Sequence, residues 1–281
     1  MGQFFGPETQ GIDIIKAFPD RVRKKTFLLT GIDKRELAVA TTEALAQGEA
    51  AALILLGPSQ PETQPQIDDI NLKYAKTKVI YITADFASLA SVREAADIIN
   101  KLDVPIDGII GYPAVIAAEW ATTVDGIESH FQINYLSHFL LVNLILGKMP
   151  DASRVVMISS SIRPDSPPLR FDNPNFSEGK TYHPLDGYAQ SMFANIQFMK
   201  CLATSYAGRS MGAFSVNPGN IKLIVQSYVS PEMVASWLQK KKQESEDLPL
   251  ILQQAPNSLE QASATVLRAL LDPVIKGLAR H

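Results

Sequence analysis

Short apolar runs alternate with helix-like stretches along most of this chain, and this alternation restricts the fold more than any other feature. Runs that are apolar throughout are typical of strands covered by helices on both faces of a parallel sheet. The pattern therefore predicts an α/β fold in three layers, a doubly wound parallel sheet in one domain at 26–281, after an N-terminal leader at 1–25. The predicted strands lie at 26–30, 52–56, 79–83, 108–112, 155–159 and 213–216.

Helical spacing of apolar residues predicts helices at 36–47, 88–102, 127–149, 188–206 and 258–271. Two remaining stretches, at 162–187 and 220–250, are interpreted as irregular, and each follows a predicted strand. In a doubly wound sheet the ligand binds outside the carboxyl ends of the strands. Long loops in that position are usually binding loops, so we expect both stretches to overhang a substrate crevice.

Charge and cysteine content exclude several classes of function. The net charge of −3 gives no electrostatic footprint for nucleic acid or an anionic membrane. The single cysteine, Cys201, excludes an internal disulfide, and we expect it in the core of a protein from a reducing, cytoplasmic setting. No zinc-like spacing, signal sequence or membrane-length apolar run is present, so we expect no metal and no membrane, and a small molecule as the partner.

Several short motifs occur in order between residues 22 and 225, each beside a predicted strand or helix. In these motifs the chain resembles the short-chain dehydrogenase/reductase family, and the Tyr182-His183-Pro184 insertion is similar to its retinol-dehydrogenase-like branch. The resemblance implies a Rossmann-type fold, catalytic roles for Tyr188, Ser160 and Asn134, and a homodimer formed through helices 127–149 and 188–206. The motifs are Thr30-Gly31, Asp85, Asn134, Ile158-Ser159-Ser160, Tyr188-Ala189-Gln190-Ser191-Met192 and Pro218-Gly219.

The cofactor positions depart from the family pattern more than the substrate positions do. Arg35 and Leu37 stand where the family has the second and third glycines of its phosphate-binding turn. Those glycines let the backbone approach a pyrophosphate and let the helix pack closely on its strand. Tyr112 falls within the family's Asn-Asn-Ala-Gly segment, and Met192 replaces the lysine that contacts the nicotinamide ribose.

These departures predict a degenerate dinucleotide site, so we expect no cofactor, with NADP(H) as the alternative. The second strand also ends in Gly57-Pro58-Ser59, which offers neither an acid for a ribose hydroxyl nor an arginine for a 2′-phosphate. The degenerate cofactor positions are Gly31, Arg35, Leu37, Asp85, Pro218 and Gly219.

Two hydroxyls remain in the part of the site that faces substrate. A tyrosine with no cation nearby stays protonated at neutral pH, since its ordinary pKa is about 10. Tyr188 and Ser160 are therefore predicted to donate hydrogen bonds to a substrate oxygen, as an oxyanion hole does. This predicts a non-redox reaction, such as isomerisation, dehydration, aldol-type addition or cyclisation, with His183, Asp186, Asp165 or water as the base.

Two other functions stay open. An NADPH-dependent ketone or aldehyde reductase with atypical motifs is favoured by Lys34 and Arg35, which could meet a 2′-phosphate. A non-catalytic binding or scaffold protein is the other alternative. A large apolar ligand is expected, and the predicted substrate-binding residues are Met192, His183, Tyr112 and Trp237.

Overall fold

A six-stranded parallel sheet forms the centre of the computed structural model, which describes residues 5–32, 36–160, 169–221, 228–242 and 257–275. The strand order is β3-β2-β1-β4-β5-β6, and all neighbouring strands run parallel. This order confirms the predicted doubly wound, Rossmann-type sheet, whose direction of winding changes between β1 and β4. The strands are β1 Thr26–Thr30, β2 Ala52–Gly57, β3 Lys78–Thr83, β4 Gly108–Gly111, β5 Arg154–Ile158 and β6 Gly212–Val216.

Helices cover both faces of the sheet and give it two separate cores. The buried strand β2 shows why: Leu53 and Leu55 face one core, whereas Ile54 and Leu56 face the other. The helices are α1 Gly11–Ala17, α2 Glu36–Gln47, α3 Gln60–Lys73, α4 Leu89–Lys101, α5 Ser137–Ile145, α6 Pro184–Ser205, α7 Pro231–Lys242 and α8 Leu259–Leu271. A π-helix, Phe131–Leu136, leads into α5.

The structure differs from the sequence-based expectation in five places. The segment interpreted as a leader contains α1, which packs against α8 and contributes Ile14 and Ile15 to the core. Helix α3 was not predicted, because it is mostly polar and contains Pro65. Helix α7 lies within the stretch interpreted as irregular, and α6 begins at Pro184 rather than at Tyr188. The expectation that Cys201 lies in the core is wrong, since it is exposed on α6.

Candidate functional site

An open cavity of about 140 Å³ lies at the carboxyl ends of β1 to β4, where a doubly wound sheet normally binds its ligand. Gly31 forms part of its wall with a φ of +61°, and a Cβ at this position would lie 2.9 Å from the carbonyl oxygen of Tyr112. Only glycine fits there without strain. The cavity is lined by Gly31, Gly57, Pro58, Ala84, Asp85, Phe86, Ala87, Tyr112, Ala114, Val115, Ile133 and His138.

Asp85 supplies the acidic group of this cavity. It is exposed just beyond β3, and its Oδ1 accepts a hydrogen bond from the backbone N–H of Ala87 at 2.8 Å. Within the described part of the chain, no hydrogen bond reaches Oδ2. A carboxylate oxygen is therefore available at the cavity to accept hydrogen bonds from a ligand.

His138 forms the buried inner wall of the cavity. The Thr30 hydroxyl accepts the N–H of Tyr112 and lies within hydrogen-bond distance of His138 Nε2, at 2.8 Å. Complete burial lowers the pKa of His138 to about 4, against a smaller opposing effect of the Ile133 and Asn134 carbonyls. His138 is therefore a neutral packing residue.

The side chains expected to fill the phosphate region lie elsewhere. Leu37 is buried in the core on one face of the sheet, and the expectation that it projects into the crevice is wrong. The Tyr112 ring is buried, and its hydroxyl donates to Thr41 Oγ1 on α2 at 2.7 Å. Tyr112 thus lines the open cavity and does not belong to the side chains packed around Tyr188. Lys34, Arg35 and Asp165 lie outside the described residues.

Tyr188 lies on α6 in a small apolar cluster beyond the main cores. Met192, one turn later, is completely buried there, and Trp237 reaches the cluster from α7. The Trp237 indole N–H donates to the Asp186 carboxylate at 2.8 Å. Helix α7 therefore covers the tyrosine. The buried members are Ala117, Leu185, Tyr188, Ala189, Met192 and Trp237, with Ile116, Val229 and Met233 packed against them.

Two residues considered as bases hold the start of α6 instead. His183 is its N-cap: Nδ1 accepts the N–H of Leu185, and Nε2 lies 3.2 Å from Ser236 Oγ on α7. The Asp186 carboxylate accepts the Trp237 indole N–H. Both side chains thus connect α6 to α7. These contacts do not support the prediction that His183 binds substrate.

All hydrogen-bonding positions of the Asn134 side-chain amide are used within the protein. Its Oδ1 accepts the N–H groups of Ala114 and Val115, and its Nδ2 donates to the Val115 carbonyl and to Ser191 Oγ. These four bonds use both donors and both lone pairs of the amide. Asn134 holds the segment that follows β4, and this fully bonded amide does not fit the expected catalytic role.

Two further predicted positions lie beyond β5 and β6. Ser160 is partly exposed two residues after β5 ends, next to Ser159, whose hydroxyl donates to the Met192 carbonyl. Gly219 has a φ of +89°, and the carbonyl of Pro218 accepts a hydrogen bond from Asn257 at 3.1 Å. The Pro218-Gly219 turn is therefore tied to the start of α8.

A buried polar cluster lies next to Tyr188 and could not be predicted from the sequence. His130 Nδ1 lies 2.9 Å from Glu128 Oε1 and 2.9 Å from the Tyr182 hydroxyl. Burial raises the pKa of Glu128, but hydrogen bonds from the His130 ring and from the backbone N–H groups of His130 and Phe131 outweigh it and leave that pKa lowered. Burial, then the Glu128 charge, raises the pKa of Tyr182. The spacing of these residues could not have indicated the cluster, because Tyr182 is 52 residues from His130.

Within the described ranges, His, Cys, Asp and Glu side chains form no group that could hold a metal ion. Over the same residues, none of the helices combines the length and the apolar character that crossing a membrane requires.

Several known proteins are similar to this chain in sequence, although no protein-family model matches it. Oxidoreductase fscI of Fusarium equiseti is 31% identical over 76% of this chain and 94% of its own length. Short-chain dehydrogenase/reductase prx1 of Penicillium roqueforti is 30% identical over 78% of this chain and 64% of its own length. Human polyprenol dehydrogenase is 27% identical over 94% of this chain and 77% of its own length.

Solved structures share the fold at lower sequence identity. A short-chain dehydrogenase from Burkholderia cenocepacia, solved with NADP, has a TM-score of 0.63 and 19% identity over 89% of this chain and 91% of that one. A blue fluorescent protein from a metagenomic library, solved with NADPH, has a TM-score of 0.58 and 22% identity over 76% of this chain and 83% of that one.

The expectation that this protein works without a cofactor is wrong. Its relatives are oxidoreductases, and solved proteins of the same fold hold NADP or NADPH. The physical reason lies in two side chains. Leu37 turns into the core and Tyr112 bonds to α2, so the cavity that they were expected to close stays open.

Proposed function

Since this chain belongs to the short-chain dehydrogenase/reductase family, we propose that it is an NAD(P)(H)-dependent oxidoreductase that interconverts a carbonyl group and an alcohol on an apolar small molecule. The open cavity at the carboxyl ends of β1 to β4 is the observation that carries the proposal. The comparisons give no support to the non-redox reaction considered from the sequence. Their oxidoreductase names favour the reductase alternative.

The residues of the cavity fit the adenosine half of a dinucleotide. Its wall is apolar where a flat base needs contact, and Asp85 presents a carboxylate oxygen that suits the amino group of adenine. Gly31 keeps the backbone clear of side chains at the end of β1. Bound there, the cofactor would supply or accept a hydride, and the chain would hold it through Gly31, Gly57 and Asp85.

The nicotinamide half has weaker support from this chain. Met192 is completely buried at the position of the family's lysine, so no ammonium group there can bond to the ribose. The end of β2 carries no acid or base among its described residues, and Gly57 and Pro58 line the cavity. We therefore expect a weaker cofactor affinity than the family pattern implies, and NADPH is the first cofactor to test.

Tyr188 is proposed as the group that exchanges a proton with the substrate oxygen, and Ser160 as a second hydrogen-bond donor to that oxygen. Tyr188 is held in a dry apolar cluster, where a hydrogen bond to a developing charge is stronger than in water. Asn134 contributes indirectly, because it fixes the segment between β4 and the cluster.

The substrate is proposed to be apolar, because the side chains packed around Tyr188 carry almost no polar groups. Ile116, Met192, Val229, Met233 and Trp237 offer only aliphatic, thioether and aromatic surface. One relative is named polyprenol dehydrogenase, and a long isoprenoid alcohol is a substrate of the same apolar character. A fairly large ketone, aldehyde or primary alcohol fits this lining best.

The proposal is tested by titrating the protein with NADPH and with NADH while nicotinamide fluorescence is recorded. Turnover is then followed with an apolar aldehyde and an apolar long-chain alcohol. Replacing Tyr188→Phe should lower kcat by roughly 10²–10⁴-fold and keep cofactor binding, the range expected for a lost general acid. Tyr74→Phe is the control, since its hydroxyl bonds to Glu43 away from the cavity. Absence of binding by either cofactor at millimolar concentration contradicts the proposal.

We also propose a homodimer formed through the outer faces of α5 and α6. Phe139 and Leu144 are large apolar side chains exposed on α5, and the Phe139 ring packs edge-on against the ring of Phe198 on α6. An apolar face of this kind is usually covered by a partner. Light scattering should give twice the mass of one chain, and Phe139→Glu should yield a monomer.

A further inference from the structure

The segment 114–118, here called the pocket wall, connects β4 to the cluster around Tyr188. Ile116 and Ala117 both pack in that cluster, so the wall forms one side of the packing around the tyrosine. Ala117 has a φ of +48°, in the left-handed region that alanine rarely adopts. Such a conformation is strained and persists only where the surroundings over-determine it.

The pocket wall is held at both of its ends by buried polar side chains. Asn134 binds its first two residues through three hydrogen bonds, and a fourth bond anchors the same amide to Ser191. At the other end, His130 Nε2 accepts the N–H of Ala118 at 3.2 Å, and the Tyr182 hydroxyl donates to the Ala118 carbonyl at 3.0 Å. The strained alanine therefore lies between two fixed points.

His130 is arranged to hold the wall and not to exchange protons. Its Nε2 lone pair accepts the Ala118 N–H, so the proton of the neutral ring lies on Nδ1, towards Glu128 and Tyr182. A proton on Nε2 would face another donor. The same ring lies edge-on to the ring of Tyr188, with centroids 6.2 Å apart. His130 thus contacts both the wall and the tyrosine.

Glu128 fixes the orientation of this imidazole. Both Glu128 and His130 are completely buried, and the Glu128 carboxylate also accepts the backbone N–H groups of His130 and Phe131 at the start of the helix. The Glu128 N–H donates to Asn175 Oδ1 on the turn that leads to Tyr182. Each ring nitrogen of His130 therefore has a defined partner.

We propose that Glu128, His130 and Tyr182 form a positioning cluster that presses the strained pocket wall against Tyr188 and so sets the orientation of substrate at the tyrosine. The proposal rests on the proposed function, because it assigns Tyr188 to the reaction. These three residues are positioning residues, since they act through Ala117, Ala118 and the ring of Tyr188.

A substitution at Gly187 can displace Tyr182 without changing any residue of the cluster itself. A Cβ at Gly187 would lie 2.6 Å from the Tyr182 ring and 2.6 Å from its hydroxyl oxygen. Alanine is a better helix former than glycine, so Gly187→Ala should keep α6 helical while its new methyl group displaces the Tyr182 ring. Gly147→Ala is the matched control, because nothing lies within 4 Å of its Cβ.

The first experiment compares Tyr182→Phe and Gly187→Ala with the controls Tyr74→Phe and Gly147→Ala. Both test variants should lose about 10- to 100-fold in kcat, the loss expected when reacting groups are misplaced by about an ångström. The KM for cofactor should change less than kcat, because Glu128, His130 and Tyr182 do not line the open cavity and the wall residues that do, Ala114 and Val115, are also held by Asn134. A fall in kcat that equals the unfolded fraction, measured by active-site titration, overturns the proposal.

The second experiment needs no turnover. Amide hydrogen exchange of a peptide covering the pocket wall is measured for the same four variants and the parent protein. Exchange in this peptide should rise at least tenfold in Tyr182→Phe and Gly187→Ala and stay at the parent rate in both controls. Unchanged exchange in the test variants overturns the positioning cluster. Raised exchange in a protein without oxidoreductase activity keeps the cluster and rejects only the proposed function.

Discussion

His138 should make the stability of this protein sensitive to mild acid. The perturbation is a change from pH 7 to pH 5, compared between the parent chain and His138→Gln. Complete burial lowers the folded-state pKa of His138 to about 4, whereas the unfolded chain keeps the ordinary value of about 6.5. The unfolded state therefore takes up the proton first as the pH falls.

The sign and size follow from linkage. The contribution of His138 is fully present above pH 6.5 and is lost as the pH falls towards 4, because the folded chain must either bury a charge or unfold. The two pKa values give a loss of about 2 kcal/mol at pH 5 and about 3 kcal/mol in the acid limit.

Urea unfolding at pH 7, 6 and 5 measures this contribution. His138→Gln should start at a lower free energy of unfolding at pH 7, since it loses a packed ring, and should then fall by about 2 kcal/mol less than the parent between pH 7 and pH 5. The difference between the two slopes does not depend on the starting stability. Parallel slopes would refute the assignment of His138 as a neutral buried residue.

Two substitutions test other parts of the structure. Leu37→Gly, which installs the family's glycine, should lower the free energy of unfolding in urea by about 3–5 kcal/mol, because Leu37 is buried in the core. The control Leu72→Gly replaces an exposed leucine and should lower it by about 1 kcal/mol. Equal losses in the two variants would contradict the placement of Leu37. Trp237→Phe keeps an aromatic ring but removes the hydrogen bond to Asp186. It should therefore lower the free energy of unfolding by about 1.5–3 kcal/mol and raise the KM for an apolar substrate. An unchanged KM would show that α7 does not shape the substrate site.

The sheet could be predicted from sequence because its signal is repeated. Each buried strand is a short apolar run, and the doubly wound order follows from strands alternating with helices. Helix α3 was missed because its buried side is only Thr63, Ile67 and Ile70 in a polar segment with an internal proline. Periodicity detects an apolar face, and this helix has a narrow one.

The cofactor region shows where sequence reasoning stops. The leucine at position 37, where the family has a glycine, indicated a blocked cofactor site. Residue type alone does not give the direction of a side chain, however, and Leu37 points into the core. Asn134 was assigned by position, yet its chemistry depends on which groups it meets, and it meets backbone. Glu128, His130 and Tyr182 converge only through the fold.

The hydrogen bonds at Ala118 also bear on engineering by segment exchange. The turn that carries Tyr182 and the helix start that carries Glu128 and His130 are separated in the chain but complete one another in space. A chimera that imports the 169–182 turn from a relative would bring a new neighbour to an unchanged imidazole. Such a graft should work only when the donor's residues at both places are transplanted together.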